Sequence, residues 1–195
     1  MQYPPGTIGI LSTDLARWHW FHQSMLALEK PPGSQVVWCV GSWVSVAVNK
    51  LVMAMQPDHQ FLAIFADDHI FEADMLLRLL RHELPLVTPL CALRQPPYAP
   101  SLFHETPDGY RSYTWAELQH KHGLLPVDSF GGACCCIRRE VIEAVGTPFY
   151  ENMPGRRDAP MEDLYTFSKC KQAGYQPWVD LDIQIGHCIP AAVFP

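Results

Sequence analysis

The 195-residue sequence has few charged side chains and no excess of basic ones. Charged residues make up 17 % of the chain, apolar residues make up 48 %, and the formal net charge is -6. Disordered chains combine low hydrophobicity with high net charge, so this composition excludes disorder and predicts a folded globular protein. A surface built mainly to neutralise phosphates is not expected from this charge, although one local basic groove is compatible with it.

The sequence also lacks a CxxC pair of the kind that holds zinc in small domains. Its seven cysteines are an odd number, which favours reduced thiols over a disulfide framework. Three of them form the run Cys134 to Cys136 in a predicted strand, where successive side chains point to opposite faces. We interpret this run as part of the core, because its sulfur atoms cannot converge on one metal ion.

Long apolar segments are missing as well. Residues 1–10 contain no cationic stretch followed by an apolar one, so no secretory signal is predicted there. The longest apolar stretch, residues 36–48, is interrupted by Gly41 and is too short to cross a bilayer. We therefore expect no membrane association and a cytoplasmic location.

The pattern that is present in the first half is an alternation of apolar runs and amphipathic segments. Continuous apolar runs predict strands, and apolar residues three or four apart predict helices. The predicted strands are 7–12, 35–40, 61–66 and 84–90, and the predicted helices are 14–29, 44–55 and 72–82. Such alternation is typical of an α/β fold with a parallel sheet.

The second half begins with a proline-rich segment. Residues 102–105 are predicted to pair with 110–113 across a Pro107-Asp108-Gly109 turn, which gives a hairpin insertion. Further predictions are a short helix at 115–122, a strand at 133–137, helices at 138–145 and 161–173, and strands at 175–180 and 183–187. Three prolines and two glycines predict a mobile loop over residues 146–160.

An acidic turn, Asp67-Asp68-His69, follows the most apolar of the predicted strands. Ligands of open α/β sheets bind at the carboxyl ends of parallel strands, so this position favours a site. Two carboxylates and an imidazole there suit Mg²⁺ or Mn²⁺ bridged to substrate phosphates. The alternative is structural: both carboxylates cap a helix that starts near Phe71.

Two further positions carry candidate chemistry. Glu162 and Asp163 open the last predicted helix beside the proline-rich loop, where a carboxylate can serve as a general base. Complementing the helix dipole is the structural alternative for this pair. His187 follows Gly186 near the end of the chain and is either a core histidine or the partner of Asp68 at a cation.

The order of these segments resembles the GT-A fold glycosyltransferases, particularly the small family-two-like enzymes of bacterial and phage genomes. The acidic turn is similar to that family's DxD motif, and Gly186-His187 is similar to its terminal metal-binding histidine. The segments that complete the resemblance are Ile8-Gly9-Ile10, Asn49-Lys50-Leu51, Gly131-Gly132 with the strand ending in Arg138-Arg139, Glu162-Asp163 and Ala173-Gly174-Tyr175. Relatives often have a further aspartate where this chain has Ala66, so the contact of His69 with an ion stays open.

The resemblance implies a GT-A fold, with a mostly parallel central sheet flanked by helices and a β-hairpin insertion. At this length one core is sufficient, and we expect a single domain with a nucleotide-binding half at about 1–90 and an acceptor-side half at about 91–195. Two groups of residues carry the implied functions. Ser12, Asn49, Asp67 and Asp68 bind the donor nucleotide; Asp68, His187 and the open candidate His69 bind Mn²⁺ or Mg²⁺.

The implied reaction is transfer of a sugar from a nucleotide-sugar, by default a UDP-sugar, to a hydroxyl acceptor. Asp163 acts as the base with Glu162 supporting the acceptor, and direct displacement inverts the anomeric centre. A retaining reaction is the alternative, because sequence spacing does not fix the stereochemistry, and it would not need Asp163 as a base. A glycan and a hydroxymethylated DNA base are both compatible acceptors, the latter requiring a basic surface near the insertion. The candidate residues for such a basic surface are Arg94, Arg111, Lys121, Arg138, Arg139, Arg156 and Arg157.

Two other functions are compatible with an acidic α/β site. A nucleotidyltransferase also uses metal-bound carboxylates, but no glycine-rich, lysine-containing loop follows residues 10–12. A catalytically degenerate module that only binds a nucleotide-sugar is the non-enzymatic alternative.

Overall fold

A seven-stranded sheet forms the centre of the computed structural model, which describes residues 3–12, 18–151 and 162–189. Within those ranges the strands are β1 (Thr7–Ser12), β2 (Gln35–Val40), β3 (Phe61–Ala66), β4 (His69–Ile70), β5 (Leu86–Leu90), β6 (Leu102–Thr106), β7 (Gly109–Ser112), β8 (Leu124–Pro126), β9 (Ser129–Phe130), β10 (Cys134–Arg138), β11 (Trp178–Gln184) and β12 (Gly186–His187). The helices are α1 (His19–Ala27), α2 (Val44–Met53), α3 (Met75–Arg81), α4 (Trp115–Leu118), α5 (Arg139–Val145) and α6 (Glu162–Gln172).

The order of the central sheet is β2-β1-β3-β10-β5-β11-β8. Strand β1 is parallel to both β2 and β3, and β5 is parallel to β11. Strand β10 lies antiparallel between β3 and β5, so β3 and β5 run in the same direction. The carboxyl ends of β1, β3 and β5 therefore meet at one edge. The predicted α/β fold with a mostly parallel, helix-flanked sheet is confirmed.

Apolar clusters cover the sheet on both faces. Leu62 and Ile64 of β3 pack into one cluster with residues of α2, α5 and α6, while Phe61 and Phe65 pack into the other with residues of α1 and α3. A strand that is apolar at every position can be buried on both sides, which is why β3 shows no alternation. This double burial fixes the strand ends that carry the acidic turn.

The cysteine run lies in β10 and is buried, as predicted. Cys135 belongs to one apolar cluster, and Cys134 and Cys136 belong to the other. Burial raises the pKa of all three thiols, that of Cys136 to about 12. The three cysteine side chains therefore pack in the apolar core.

The proline-rich insertion forms the predicted hairpin. Strands β6 and β7 pair antiparallel with His104 opposite Arg111, and β6 also pairs with β9. Lys171 of α6 contacts Asp128 at 2.6 Å and Glu105 at 3.2 Å. The hairpin sheet is thereby joined to the helix that begins with Glu162.

Several predicted boundaries differ from the structure. Of the helix predicted over 14–29, the structure describes α1, and residues 13–17 lie outside the described ranges. The strands predicted at 175–180 and 183–187 are replaced by β11 and β12. Most of the loop predicted over 146–160 is also outside them. None of the described helices has the length and apolar character needed to span a bilayer. The cytoplasmic location and the single-domain boundaries stay predictions.

Candidate active site

A pocket of about 240 Å³ opens at the edge where β1, β3 and β5 end. It collects side chains from distant parts of the chain, including most of the residues predicted to carry function. They are Ser12, Asp67, Asp68, Glu162, Asp163 and His187, with Arg94 beside them. The carboxyl ends of parallel strands bring the first three together, and α6 supplies the two acidic residues opposite.

Asp67 is fixed at the junction of β1 and β3. The Ser12 hydroxyl donates to Oδ2 of Asp67 at 2.6 Å, and the Asp67 amide donates to the carbonyl of Leu11 at 3.0 Å. Because Leu11 and Ala66 are register partners in the parallel pair, Ser12 and Asp67 follow at matching positions. The two side chains predicted to contact the donor are therefore direct neighbours.

Asp68 is the most heavily contacted carboxylate of the pocket. Its Oδ2 lies 2.9 Å from Nη1 of Arg94 and 3.3 Å from Nε2 of His187. Its Oδ1 is buried without a hydrogen-bond partner in the described structure, and Nδ1 of His69 lies 3.6 Å away. Burial raises the pKa of Asp68, but His187, His69 and Arg94 together hold it below its ordinary value.

His69 and His187 are opposite each other in a short antiparallel pair. Strand β4 pairs with β12 so that His69 faces His187 directly, and the ring centroids are 4.6 Å apart. Nδ1 of His187 donates to the carbonyl of Ala92 at 2.9 Å, which turns its Nε2 towards Asp68. Histidines that bind metals are usually oriented in the same way, by donating the N–H of the other ring nitrogen to an acceptor such as a backbone carbonyl.

The two imidazoles differ in charge. Burial lowers the pKa of His69 to about 4, so the ring is neutral at neutral pH and its nitrogen lone pair can bind a cation. Burial also opposes protonation of His187, but hydrogen bonds with Asp68, Cys91 and Ala92 raise its pKa to about 10. Protonated His187 and Arg94 thus neutralise Asp68 where a divalent ion would otherwise do so.

The residues around Asp68 fit a divalent cation. One ligand atom each of His69, Cys91 and His187 lies within 4.8 Å of the others. The unpartnered Oδ1 of Asp68 is a further acceptor at the same place. A buried carboxylate oxygen without a donor is costly to leave unpaired, and a bound cation removes that cost.

Asp163 lies across the pocket, where α6 begins. Its Oδ1 accepts a hydrogen bond from the hydroxyl of the buried Tyr150, and the amide of Gly132 also donates to this carboxylate. Burial raises the pKa of Asp163, and the two hydrogen bonds oppose that rise. A carboxylate with a raised pKa beside a pocket is a candidate general base.

Asn49 lies outside the set that lines the pocket, contrary to the placement expected for a nucleotide ligand. Its Nδ2 donates to the carbonyl of Tyr150 at 2.6 Å, and its Oδ1 accepts from the amide of Tyr150 at 3.1 Å. Asn49 thus holds the segment that carries the Tyr150 hydroxyl. It is not retained among the proposed donor contacts.

The structure contradicts the capping alternative for the acidic turn, and also the acceptor-side position that the resemblance implies for the strand ending in Arg138-Arg139. Helix α3 begins at Met75 with no side-chain cap, so Asp67 and Asp68 do not cap it. Strand β10 is antiparallel, and Arg138 at its end is opposite Phe61, the first residue of β3. Arg138-Arg139 therefore lies roughly 20 Å along the sheet from the pocket, away from the predicted acceptor side. Ala133, directly before β10, lines the pocket instead.

The sequence analysis missed Cys91 and Tyr150. Cys91 directly follows β5, so it shares the strand-end position that singled out Asp67, and that signal was available. Tyr150 has no comparable signal, because its contact with Asp163 depends on how the chain beyond α5 packs. Arg94 was noted only as a surface charge and is instead the ion-pair partner of Asp68.

Known proteins resemble this chain in fold and not in sequence. No family model matches this sequence, and no curated protein matches it either. The crystal structure of A197 from STIV is similar with a TM-score of 0.66 and 13 % identity, over 95 % of this chain and 86 % of that one. That of GalNAc-T7 with UDP, GalNAc and Mn²⁺ gives 0.67 and 10 %, over 96 % and 44 %.

A third similar structure is the catalytic domain of Drosophila β1,4-galactosyltransferase 7 in complex with xylobiose, with a TM-score of 0.52 and 17 % identity over 90 % of this chain and 64 % of that one. The chain thus spans less than half of the GalNAc-T7 chain. At these identities the likeness concerns the fold. The mixed α/β fold is the one found in GT-A glycosyltransferases.

Proposed function

We propose that this chain is a metal-dependent glycosyltransferase that moves a sugar from a nucleotide-sugar, by preference a UDP-sugar, to a hydroxyl acceptor. The observation that carries the proposal is the meeting of Ser12, Asp67, Asp68 and His187 with Glu162 and Asp163 in one pocket. Two of the similar structures are glycosyltransferases, one of them with UDP and Mn²⁺ bound, and the proposal extends that chemistry to this pocket.

The donor side is formed by the strand ends. Ser12 and Asp67 are held by their mutual hydrogen bond, which places polar groups beside the space for the nucleotide. Asp68, His187 and His69 are the proposed ligands of a divalent cation, for which the sequence predicts Mn²⁺ or Mg²⁺. Such an ion would supply positive charge for the departing diphosphate. Arg94, with a side chain 62 % exposed, can leave Asp68 for the diphosphate when the cation enters.

The acceptor side is formed by the start of α6. Asp163 takes the proton of the acceptor hydroxyl while the acceptor oxygen forms a bond to the anomeric carbon. The bond from that carbon to the nucleoside diphosphate breaks, and the electron pair leaves with the diphosphate. Attack opposite the leaving group inverts the anomeric centre, and Glu162 contacts the acceptor.

We favour a glycan over a modified DNA base as the acceptor. Three of the basic residues named for DNA are ion-paired or lie far from the pocket, and Arg156 and Arg157 lie outside the described ranges. Arg94 pairs with Asp68, Arg111 pairs with Glu117 at 2.8 Å, and Arg138 lies at the opposite sheet edge. Without a continuous basic surface, binding of a DNA backbone loses its main electrostatic term.

Calorimetric titration tests the donor half of the proposal. Wild-type protein is titrated with a panel of nucleoside diphosphates and nucleotide-sugars in the presence of Mn²⁺, Mg²⁺ or Co²⁺, and again with EDTA. We expect one nucleotide class to bind only with a cation, and Asp68→Ala to abolish that binding. Asp58→Ala, a change of an exposed aspartate outside the pocket, is the matched control. The absence of cation-dependent binding across the panel contradicts the proposal.

A binding-only module gives a different outcome. It would bind the nucleotide with the cation but release no diphosphate with any acceptor, and Asp163→Asn would leave all measured properties unchanged. A nucleotidyltransferase would form pyrophosphate from a nucleoside triphosphate, which the same reaction mixtures can be assayed for.

A further inference from the structure

A second, smaller cavity adjoins the donor pocket and shares Ala133 and His187 with it. Its volume is about 30 Å³, and His69, Cys91 and His187 are among the residues that line it. A cavity of this size holds one ion or one water molecule and is too small for a nucleotide. Three side chains that can bind a metal thus surround a space the size of an ion.

Cys91 reaches this cavity because of where β5 ends. It follows Leu90, and its Sγ lies 3.9 Å from Nδ1 of His187 and 3.4 Å from the carbonyl of Ala92. Both contacts are the long, weak ones typical of a thiol. Cys91 as a residue is half-buried, whereas the three cysteines of β10 are buried.

The spacing of the three ligands is close to that of a tetrahedral site. Zinc bound at ~2.0–2.3 Å keeps its ligand atoms roughly 3.4–3.8 Å apart. One ligand atom each of His69, Cys91 and His187 lies within 4.8 Å of the others, so a closing movement of about 1 Å completes the set. Asp68, with an unpartnered Oδ1, is the adjacent oxygen ligand.

The kind of ligand decides which ion such a site selects. Mg²⁺ and Mn²⁺ favour carboxylate, carbonyl and water oxygens, whereas thiolate with imidazole suits Zn²⁺ and the similar ion Co²⁺. We propose that His69, Cys91 and His187 form a mixed sulfur and nitrogen site that binds Zn²⁺ or Co²⁺ in preference to Mg²⁺ and Mn²⁺. On binding, the Cys91 thiol and the protonated ring of His187 would each release one proton to solvent, and the thiolate sulfur and the freed ring nitrogen would bond to the ion.

This inference rests on the proposed function and changes the ion expected at its cation site from Mn²⁺ or Mg²⁺ to Zn²⁺ or Co²⁺, because Cys91 joins the two histidines there. Its test needs no substrate. Reduced, metal-free wild-type protein is titrated with Co²⁺ and followed by absorption spectroscopy. We expect the visible bands of tetrahedral Co²⁺ together with a thiolate-to-Co²⁺ charge-transfer band in the near ultraviolet. Zn²⁺ at equal concentration should remove both, whereas Mg²⁺ and Mn²⁺ in tenfold excess should not.

Two variants separate the role of Cys91 from that of any cysteine. Cys91→Ser should lose the charge-transfer band and weaken Zn²⁺ binding by at least about tenfold, in line with losses seen when metal-site support is removed. Cys39→Ser changes a buried thiol of β2 that does not line this cavity, and it should keep the band and the affinity. Circular dichroism of each variant establishes that it is folded.

The outcomes distinguish this inference from the proposed function. A Co²⁺ spectrum without a sulfur band, a band that persists in Cys91→Ser, or displacement of Zn²⁺ by equimolar Mn²⁺ overturns the mixed-ligand site. Nucleotide binding with Mn²⁺ in that case would leave the transferase proposal standing. Conversely, a Cys91-dependent band in a protein that binds no nucleotide supports the metal site and contradicts the transferase.

Discussion

The hydroxyl of Tyr150 donates a hydrogen bond to Oδ1 of Asp163, and both groups lie against Gly132. The backbone of Tyr150 is held by the side chain of Asn49 in α2, whose Nδ2 donates to the Tyr150 carbonyl and whose Oδ1 accepts from the Tyr150 amide. The contact therefore links a helix of the donor half to the proposed base on α6. It also makes the protonation of Asp163 depend on a residue that lies 13 positions away in the chain.

Replacing Tyr150 by phenylalanine should shift the pH dependence of sugar transfer. The hydroxyl stabilises the ionised form of Asp163, so its loss should raise the pKa of that carboxyl further. The acidic limb of the pH–rate profile should therefore move to higher pH, with nucleotide affinity unchanged. An unmoved profile would show that Tyr150 only packs.

The two acidic positions should separate binding from chemistry. Asp163→Asn keeps the shape of the side chain but cannot accept a proton, so we expect nucleotide binding to persist and transfer to fall by about 10²–10⁴-fold. Asp68→Ala should instead abolish cation-dependent binding. Calorimetry and a transfer assay on both variants measure the two effects. Normal transfer by Asp163→Asn would be incompatible with the assigned base.

Gly132→Ala should destabilise the protein and disturb the base. A Cβ atom at this position would overlap the Tyr150 hydroxyl and lie 2.9 Å from Oδ1 of Asp163. Overpacking of this kind typically costs about 1–3 kcal/mol in the free energy of unfolding. Gly186→Ala is the control, because its Cβ would meet Ile70 at an ordinary 3.5 Å. Urea denaturation of both variants should show a loss only for Gly132→Ala.

Asp128→Asn should weaken the attachment of the hairpin and flatten the acid dependence of stability. Burial raises the pKa of Asp128, but the hydrogen bond from Lys171 and the amide of Glu105 bring it below its ordinary value. A lowered pKa contributes stability above the unfolded-state value of about 3.9, and this contribution is lost as pH falls through the folded value.

The Asp128–Lys171 ion pair is partly exposed, so we expect Asp128→Asn to lower the free energy of unfolding by no more than about 1 kcal/mol at pH 7. Below pH 4 the variant and the wild type should converge in their free energies of unfolding, measured by urea denaturation. Asp58→Asn, at an exposed position outside this network, should show neither effect. Equal stability of Asp128→Asn and wild type at pH 7 would exclude the proposed attachment.

The sequence predicted those parts of the fold that local patterns determine. Strands β2 and β3 have the predicted bounds, since their apolar runs end at Gly41 and at the acidic turn, and the hairpin turns at Pro107-Asp108-Gly109 as expected. The direction of β10 was not predictable from its own residues, because a buried strand reads the same either way. Because β10 runs antiparallel to β3, Arg138 lies opposite Phe61, at the end of β3 that is far from the site.

The candidate site was predicted in its strand-end members and missed in its tertiary contacts. Asp67 and Asp68 were found because they directly follow a buried strand. The pairing of His69 with His187 comes from two-residue strands that carry no periodic pattern. The hydrogen bond from Asn49 to the carbonyl of Tyr150 joins positions 101 residues apart, so no spacing rule indicates it.

The most direct test of the transferase proposal is release of nucleoside diphosphate from nucleotide-sugars. Wild-type protein, Asp68→Ala and Asp163→Asn are incubated with a UDP-sugar panel, a mixture of glycan acceptors and each divalent cation, and the released UDP is quantified. We predict release by wild type with at least one donor, its loss with EDTA, and its loss in both variants. No release by wild type with any donor, or equal release by Asp68→Ala, would contradict the assignment of this pocket as a metal-dependent glycosyltransferase site.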